Sequence, residues 1–174
     1  MTASNFQNSL KEILKYEGGN DDDPDDHGGR TSRGITQREY TAWLAEYKRP
    51  DADVWEASQV DIDQIYFDSY WMPLCNDLPT PIDFLYFNMN VNAGPHRAMI
   101  LLQRSLGVPD DGRYSPVTRA AIAKTDPKAF VGQFKSHCDS FYRSLGQPKF
   151  LRGWLNRDVE AAQVAQAMIE GTYK

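Results

Sequence analysis

The second half of the chain carries closely spaced signals that start and stop helices. Two dipeptides place a capping side chain directly before a proline, the arrangement that begins a helix. Glycines that directly follow amphipathic segments are typical of helix ends. The starts are Ser115-Pro116 and Asp126-Pro127, and the stops are Gly107 and Gly146. Because these signals leave little length for strands, they predict a mainly helical second half.

Hydrophobic periodicity predicts the remaining elements. Helices are expected over residues 37–48, opened by a Thr36–Glu39 capping box, over 61–73 with Asp61 as N-cap, and over 82–91, 95–106 and 155–169. Strand patterns are confined to residues 29–36 and their near surroundings. The expected fold class is therefore mainly α within the α+β class, with one small β-hairpin after the first helix.

The first predicted helix ends at a glutamate. Its apolar stripe consists of Phe6, Leu10, Ile13 and Leu14 and continues to Glu17, with Ser4 or Asn5 as N-cap, whereas Lys11, Glu12 and Lys15 fall on the opposite face. A carboxyl group on the apolar side loses solvation, which disfavours its charged form and suits a general acid near neutral pH. Gly18 and Gly19 then end the helix.

The alternative is that Glu17 is an ordinary residue at the C-terminal end of a helix and has no chemical role. The residues that follow favour a chemical role, because Asp26 lies in an acidic loop, Gly28-Gly29 marks a turn, and Gly34 leads into the capping box at Thr36. The other loop aspartates, Asp21, Asp22, Asp23 and Asp25, are expected to form a solvated face. Calcium binding by these carboxylates is a further alternative, although the spacing of an EF-hand is absent.

The motifs EGG, DDHGG and TxxGIT, as they stand between residues 17 and 36, resemble glycosyl hydrolase family 108, a family of bacterial and phage muramidases. The resemblance implies a lysozyme-like helical fold and cleavage of the β-1,4 bond after N-acetylmuramic acid in peptidoglycan. It carries Glu17 over as the catalytic acid and matches Asp26 and Thr31 to the family's loop positions. His27 departs from the family's usual proline.

Four motifs of the second half resemble the predicted peptidoglycan domain that accompanies the catalytic segment in this family. They are FNMNVNAG at 87–94, LLQRSLGV at 101–108, DGRYSPVT at 111–118 and FLRGWLNR at 150–157. Asn88 and Ser115 depart from the family's usual aspartate and glycine. Pro79 and Pro81, which precede the apolar helix at 82–91, mark the boundary between the two segments. We therefore expect a catalytic segment, 1–78, and a peptidoglycan-binding-like segment, 79–174, packed together as one compact unit.

Four residues of the second segment are candidate substrate contacts. Asn92 and Asn88 carry amides that can donate to and accept from sugar groups, although Asn88 cannot act as a base. Asn92 is equally compatible with a helix-end cap beside Gly94. Trp154 is the first choice for stacking on a sugar, and Arg157, like Arg152, can meet wall carboxylates. Most tryptophans and tyrosines are nevertheless expected in the core.

Charge and cysteine content exclude several classes of function. Residues 1–90 hold 7 Lys and Arg against 17 Asp and Glu, whereas residues 91–174 hold 12 against 7. The acidic first half argues against a nucleic-acid partner, which requires concentrated positive charge. Cys75 and Cys138 lack the spacing of a metal motif, so we expect reduced, buried thiols, with a disulfide as the alternative. No cofactor or metal is expected.

The sequence therefore predicts a peptidoglycan hydrolase that cleaves between N-acetylmuramic acid and N-acetylglucosamine and serves bacterial lysis. The alternatives are a lytic transglycosylase and a non-catalytic wall-binding protein. Neither a signal peptide nor a membrane span is visible, so we expect no membrane insertion. The expected protein is a monomer, made in the host cytoplasm, that reaches the wall in the periplasm through a holin or a secretion route. Phage endolysin and secreted effector remain open.

Overall fold

The computed structural model describes residues 2–21, 29–72 and 74–174, with side chains from residue 5 onward. The chain divides into two compact units, residues 1–72 and residues 73–174. Asp26 and His27, together with the neighbouring aspartates at 22, 23 and 25, lie outside the described residues.

The first unit combines three α-helices with a small sheet. Its elements are α1 (Thr2–Ile13), β1 (Asn20–Asp21), β2 (Thr31–Ser32), β3 (Ile35–Thr36), α2 (Gln37–Glu46), a 3₁₀ turn (Val54–Glu56), α3 (Gln59–Tyr66) and a π-helical turn (Phe67–Trp71). The predicted hairpin is confirmed as β2 paired antiparallel with β3. The structure adds β1, which pairs with the other edge of β2 and makes a three-stranded antiparallel sheet.

Helix α1 is shorter than its apolar stripe predicts. It begins at Thr2, ahead of the N-cap expected at Ser4 or Asn5, and ends at Ile13. The predicted stripe residues Phe6, Leu10 and Ile13 are buried. Glu12 was expected on the solvent face but is only 5% exposed and forms an ion pair with Lys15. The prediction for Glu12 is wrong because the apolar stripe of one helix indicates only one buried face. In the structure, α1 is covered on more than one side.

The predicted N-cap is confirmed at α2 and is wrong at α3. The Thr36–Glu39 capping box is confirmed, with both reciprocal bonds formed. Helix α3 begins two residues earlier than predicted, because the Ser58 side chain caps it by accepting from the Asp61 amide. Asp61 is instead buried and accepts two bonds from Arg49, at 2.6 and 3.1 Å. These bonds hold the pKa of the Asp61 carboxyl below its usual value.

The second unit is helical throughout its described part. Its elements are a 3₁₀ turn (Cys75–Asp77), α4 (Ile82–Ala93), α5 (Pro95–Ser105), α6 (Pro116–Ile122), α7 (Pro127–Ser144) and α8 (Pro148–Glu170). The helix starts predicted at Ser115 and Asp126 are confirmed, since both side chains accept bonds from first-turn amides. Helix α8 begins at Pro148, about two turns before the predicted residue 155. Proline suits this start, because the first helical position needs no backbone N–H donor.

Helix α4 forms the centre of the second unit. Every residue from Ile82 to Asn90 is buried, as expected for a helix that is surrounded by others. Helices α5, α7 and α8 all contact it. Cys75 and Cys138 are free and buried, as expected, and burial raises the pKa of both thiols. Among the helices of the described ranges, none has the length and apolar character that a bilayer span needs.

Candidate active site

Glu17 follows α1 after a short turn instead of lying on the helix itself. The amides of Lys15 and Tyr16 donate to the carbonyls of Glu12 and Ile13, at 3.3 and 3.0 Å, and these bonds form the turn. The Glu17 side chain is half-buried. Its carboxyl group is therefore partly covered by protein while it keeps access to solvent, as a group that meets a substrate must.

Gly34 lies directly against the carboxyl group of Glu17. Its backbone φ is +80°, a conformation that favours glycine. A methyl group added at Gly34 would lie 2.6 Å from Glu17 Oε2 and 2.6 Å from the hydroxyl oxygen of Tyr66. Both distances are well below van der Waals contact, so no larger residue fits without displacing these groups. The turn between β2 and β3 therefore limits where the carboxyl group can lie.

Two tyrosines complete the surroundings of Glu17. The Tyr66 hydroxyl donates to the carbonyl of Arg33 at 2.8 Å, which ties the end of α3 to the same turn. The rings of Tyr66 and Tyr70 lie 5.4 Å apart. Burial raises the pKa of the Tyr70 hydroxyl, and the negative charges of Glu39 and Glu17 raise it further. Tyr70 therefore keeps its proton and remains a hydrogen-bond donor near Glu17.

Glu39 is a second carboxylate in this region. Its Oε1 accepts from the Tyr70 hydroxyl at 3.2 Å, and its Oε2 accepts from the amide and hydroxyl of Thr36, at 2.9 and 2.8 Å. Both oxygens thus accept hydrogen bonds, Oε2 from the residue that caps α2 and Oε1 from Tyr70. We call Glu17, Gly34, Glu39, Tyr66 and Tyr70 the glutamate cluster.

Sequence reasoning found Glu17 but missed the other members of the glutamate cluster as parts of a site. The sequence predicts a capping role for Glu39 and places Tyr66 and Tyr70 only within the helix expected over residues 61–73. Tyr70 lies in the π-helical turn Phe67–Trp71, where the amide of Met72 donates to the carbonyl of Phe67 at 2.8 Å. Single π-helical turns are frequent at functional sites. Nothing in the sequence marked this one.

Thr31 lies in β2, and its side chain is half-buried. It pairs with Asp21 on one side and with Thr36 on the other. Its carbonyl accepts a bond of 3.0 Å from the indole of Trp55. The strand therefore ties Thr31 to the turn that contacts Glu17. Because Asp26 is outside the described residues, its role as the second catalytic group stays a prediction.

The substrate contacts predicted in the second unit form one group around α4 and α8. Asn88 is 3% exposed and Arg157 is 7% exposed, and Arg157 Nε donates to Asn88 Oδ1 at 2.9 Å. These two residues bond to each other and have little surface for a sugar. Asn92 donates to the hydroxyl of Tyr142, whose ring stacks on Trp154 at 5.2 Å. Asn92 and Trp154 are half-buried and thus more accessible. Sugar binding by these four residues stays a prediction.

Two neighbouring carboxyl groups, one buried and one partly exposed, lie beside this group. Asp158 is 5% exposed, and burial followed by the neighbouring Asp139 raises its pKa to about 8. Asp158 Oδ2 and Asp139 Oδ1 are both buried without a donor among the described residues. One proton held between the two carboxyls would satisfy both oxygens, so the raised pKa and the missing donors have the same explanation.

Metal binding has no support in the described parts of the chain. Within residues 2–21, 29–72 and 74–174, no three side chains of His, Cys, Asp or Glu converge as metal ligands. Most of the loop aspartates considered for calcium lie outside these ranges. The calcium alternative is therefore untested.

Comparison with known proteins places this site in a family. Residues 10–94 match the family described as Glycosyl hydrolase 108, a segment that runs from α1 through α4 and contains the whole glutamate cluster. Among solved structures, SagA from Brucella abortus is similar at 28% identity, with 95% of each chain covered and a TM-score of 0.80. No curated protein sequence matches the chain significantly. Residues 10–94 therefore match the glycosyl hydrolase 108 family, as their motifs indicated.

Proposed function

We propose that this protein hydrolyses the β-1,4 bond between N-acetylmuramic acid and N-acetylglucosamine in bacterial peptidoglycan, with Glu17 as the general acid. The observation that carries the proposal is the position of the Glu17 carboxyl group, half-buried against Gly34 inside the family segment. A glycosidase needs a protonated carboxyl beside the bridging oxygen. Because Glu17 is only partly buried, its carboxyl group stays accessible to the bridging oxygen of a bound glycan.

In the proposed reaction, Glu17 donates its proton to the bridging oxygen as the bond to the leaving sugar breaks. The developing positive charge on the remaining sugar then needs a carboxylate or an activated water on the other face. Asp26 is our candidate for that group, and the Thr31 hydroxyl would orient the water. Glu39 is a less suitable partner, because Thr36 and Tyr70 already donate hydrogen bonds to its two oxygens.

The second unit is proposed to hold the wall through Asn92 and Trp154. Both are half-buried and lie beside Tyr142. Asn88 and Arg157 are proposed to contribute indirectly, by fixing α8 against α4. We further propose that the protein acts as a monomer on the cell wall, in the periplasm, after release from the cytoplasm through a holin or a secretion route, and that it serves bacterial lysis.

The deciding experiment compares purified wild-type protein with Glu17→Gln on suspensions of bacterial cell wall. We expect the substitution to reduce turbidity loss by about 10²- to 10⁴-fold, the usual contribution of a general acid. Binding to pelleted wall and the melting temperature should remain unchanged. Glu46→Gln is the matched control, because Glu46 is an exposed glutamate of α2 in the same unit.

The products separate the remaining alternatives. Mass spectrometry of the digested wall should show muramic acid at reducing ends, which requires water as the acceptor. Anhydro-muropeptides would instead identify a lytic transglycosylase. A wild-type protein that binds wall, lowers no turbidity and behaves like Glu17→Gln would be a non-catalytic binding protein, and the proposal would be wrong.

A further inference from the structure

Trp55 differs from the other tryptophans of the chain in its exposure. Trp43 is 8% exposed and Trp71 is fully buried, and Trp154 is half-buried in the second unit. Trp55 is 38% exposed. More than a third of the Trp55 side chain is therefore open to a ligand, while the rest packs against the protein.

The local fold explains the turn around Trp55 but not the indole. The 3₁₀ turn is anchored in the core by Val54, which is 0% exposed, and by Ala57, which is 6% exposed. Asp53 caps the turn by accepting a bond of 2.9 Å from the backbone amide of residue 55, which almost any residue would supply. The folding of this segment therefore does not require a tryptophan at this position.

Neighbouring groups nevertheless hold the indole in one orientation. Its Nε1 donates to the Thr31 carbonyl at 3.0 Å, and the Arg30 guanidinium lies 4.4 Å from the ring centroid. Arg30 is itself paired with Asp53. One face of the ring is thus oriented by a cation–π contact and one edge by a hydrogen bond. A ring fixed before binding loses little further entropy when a ligand stacks on it.

The sheet relates this ring to the glutamate cluster. The indole is anchored on Thr31 at the start of β2, and the same strand leads to Gly34, which lies against the Glu17 carboxyl group. Because β2 ends at Ser32 and Arg33 and Gly34 form the turn, with φ of +49° and +80°, Thr31 lies only one hairpin turn away from the position that contacts the carboxyl group. A glycan strand bound at Glu17 can therefore also reach Trp55.

The charges beside Trp55 indicate the kind of ligand. Arg30 and Asp53 are paired with each other, so the guanidinium over the ring carries its own counter-charge. An uncharged sugar, with an apolar C–H face and polar edges, matches this surface better than a charged peptide does. Sugar rings stack on indoles through that apolar face, in the same way as other apolar groups pack on aromatic rings.

We propose that Trp55 is a glycan-stacking platform that binds a pyranose ring of the substrate strand near, but not at, the bond that Glu17 cleaves. This inference rests on the proposed hydrolysis by the first unit and adds a binding residue to it. Arg30 and Asp53 orient the ring, and Thr31 joins the platform to the strand that contacts the catalytic carboxyl through Gly34.

The kinetic test uses Trp55→Ala and Trp55→Phe on soluble, uncrosslinked glycan strands. Trp55→Ala should raise KM about tenfold and change kcat by less than about twofold, because stacking away from the reacting atoms contributes to binding alone. Trp55→Phe keeps an aromatic face but loses the indole N–H, so its KM should lie between that of the wild type and that of Trp55→Ala. Tyr47→Ala is the matched control, since Tyr47 is 48% exposed in the same unit.

A binding test separates this inference from the proposed function. In the Glu17→Gln background, 5-fluorotryptophan labelling gives one ¹⁹F resonance for each of the four tryptophans, and Trp55→Phe identifies that of residue 55. Titration with N-acetylglucosamine oligomers and with muropeptide strands should shift this resonance saturably. A shift without wall hydrolysis by the wild type would support the platform and refute the hydrolase.

Two results would overturn the platform. The first is wild-type kinetics for a folded Trp55→Ala protein that still hydrolyses wall, which would leave the hydrolase standing. The second is a Trp55 resonance that both glycans leave unchanged. If the first result came with a lowered melting temperature, the indole would serve only to stabilise β2.

Discussion

The two units contain polar clusters of similar composition whose surroundings differ. In the first, Glu17 is half-buried and its neighbours Gly34 and Tyr66 belong to a turn and a helix end. In the second, Asn88 and Arg157 are almost fully buried and bond to each other. The difference shows that a motif identifies residues of the right chemical type, whereas exposure decides which of them can meet a substrate.

The largest expected effect concerns the buried carboxyl of Asp158. Its folded-state pKa of about 8 lies above its ordinary value, so the folded state retains a proton that the unfolded state has lost. The stability contributed by this proton is complete below about pH 4 and is lost as the pH rises to about 8.

Asp158→Asn keeps a neutral side chain at every pH. We expect the variant to be more stable than the wild type at pH 8 and similar to it at pH 4, by urea unfolding at a series of pH values. Glu160→Gln, on the exposed face of the same helix, is the control and should leave the pH dependence unchanged. Parallel wild-type and Asp158→Asn curves would show that Asp158 is ionised in the folded state.

The next effect tests whether the Asn88–Arg157 pair is structural. Arg157→Met should lower the free energy of unfolding by about 3 kcal/mol, because it leaves the buried Asn88 carbonyl without this donor. The KM of the protein that remains folded should not change. Arg152→Met is the control, since Arg152 is exposed on the same helix. Unchanged stability with weakened wall binding would make Arg157 a direct wall contact.

The third prediction concerns the close approach of Gly34 to Glu17. Gly34→Ala should reduce wall hydrolysis about a hundredfold, because a displaced catalytic group loses its alignment with the reacting bond. Gly29→Ala is the control: its φ is +68°, but no atom lies within 4 Å of an added methyl group. Equal losses in both variants would attribute the effect to backbone strain and not to the displacement of Glu17.

The smallest effect is expected at Tyr70. Tyr70→Phe removes the hydroxyl that donates to Glu39, and we expect a loss of about 1 kcal/mol in stability, together with a fall in kcat. Tyr47→Phe removes a comparable bond to Asp68, at an exposed site, and should leave kcat unchanged. Identical kcat values for the two variants would show that the Tyr70 hydroxyl does not contribute to catalysis.

The sequence by itself determined the helical class, most helix starts and the family. Ser115, Asp126 and the Thr36–Glu39 pair cap their helices as expected, because a cap depends on residues within about four positions of one another. The wrong predictions also have local causes. Ser58 competed with Asp61 for the same cap, and the buried Glu12 was assigned to the solvent face from one helix alone.

Only the tertiary structure decided what surrounds each functional side chain. Glu17, Gly34, Tyr66 and Tyr70 are distant in sequence and meet because the sheet and the end of α3 fold against the turn after α1. The same holds for the burial of Asn88 and Arg157 and for the exposure of Trp55. Periodicity predicts which face of a helix is apolar, but proximity and burial depend on contacts between elements, whose stabilisation is spread over the whole core.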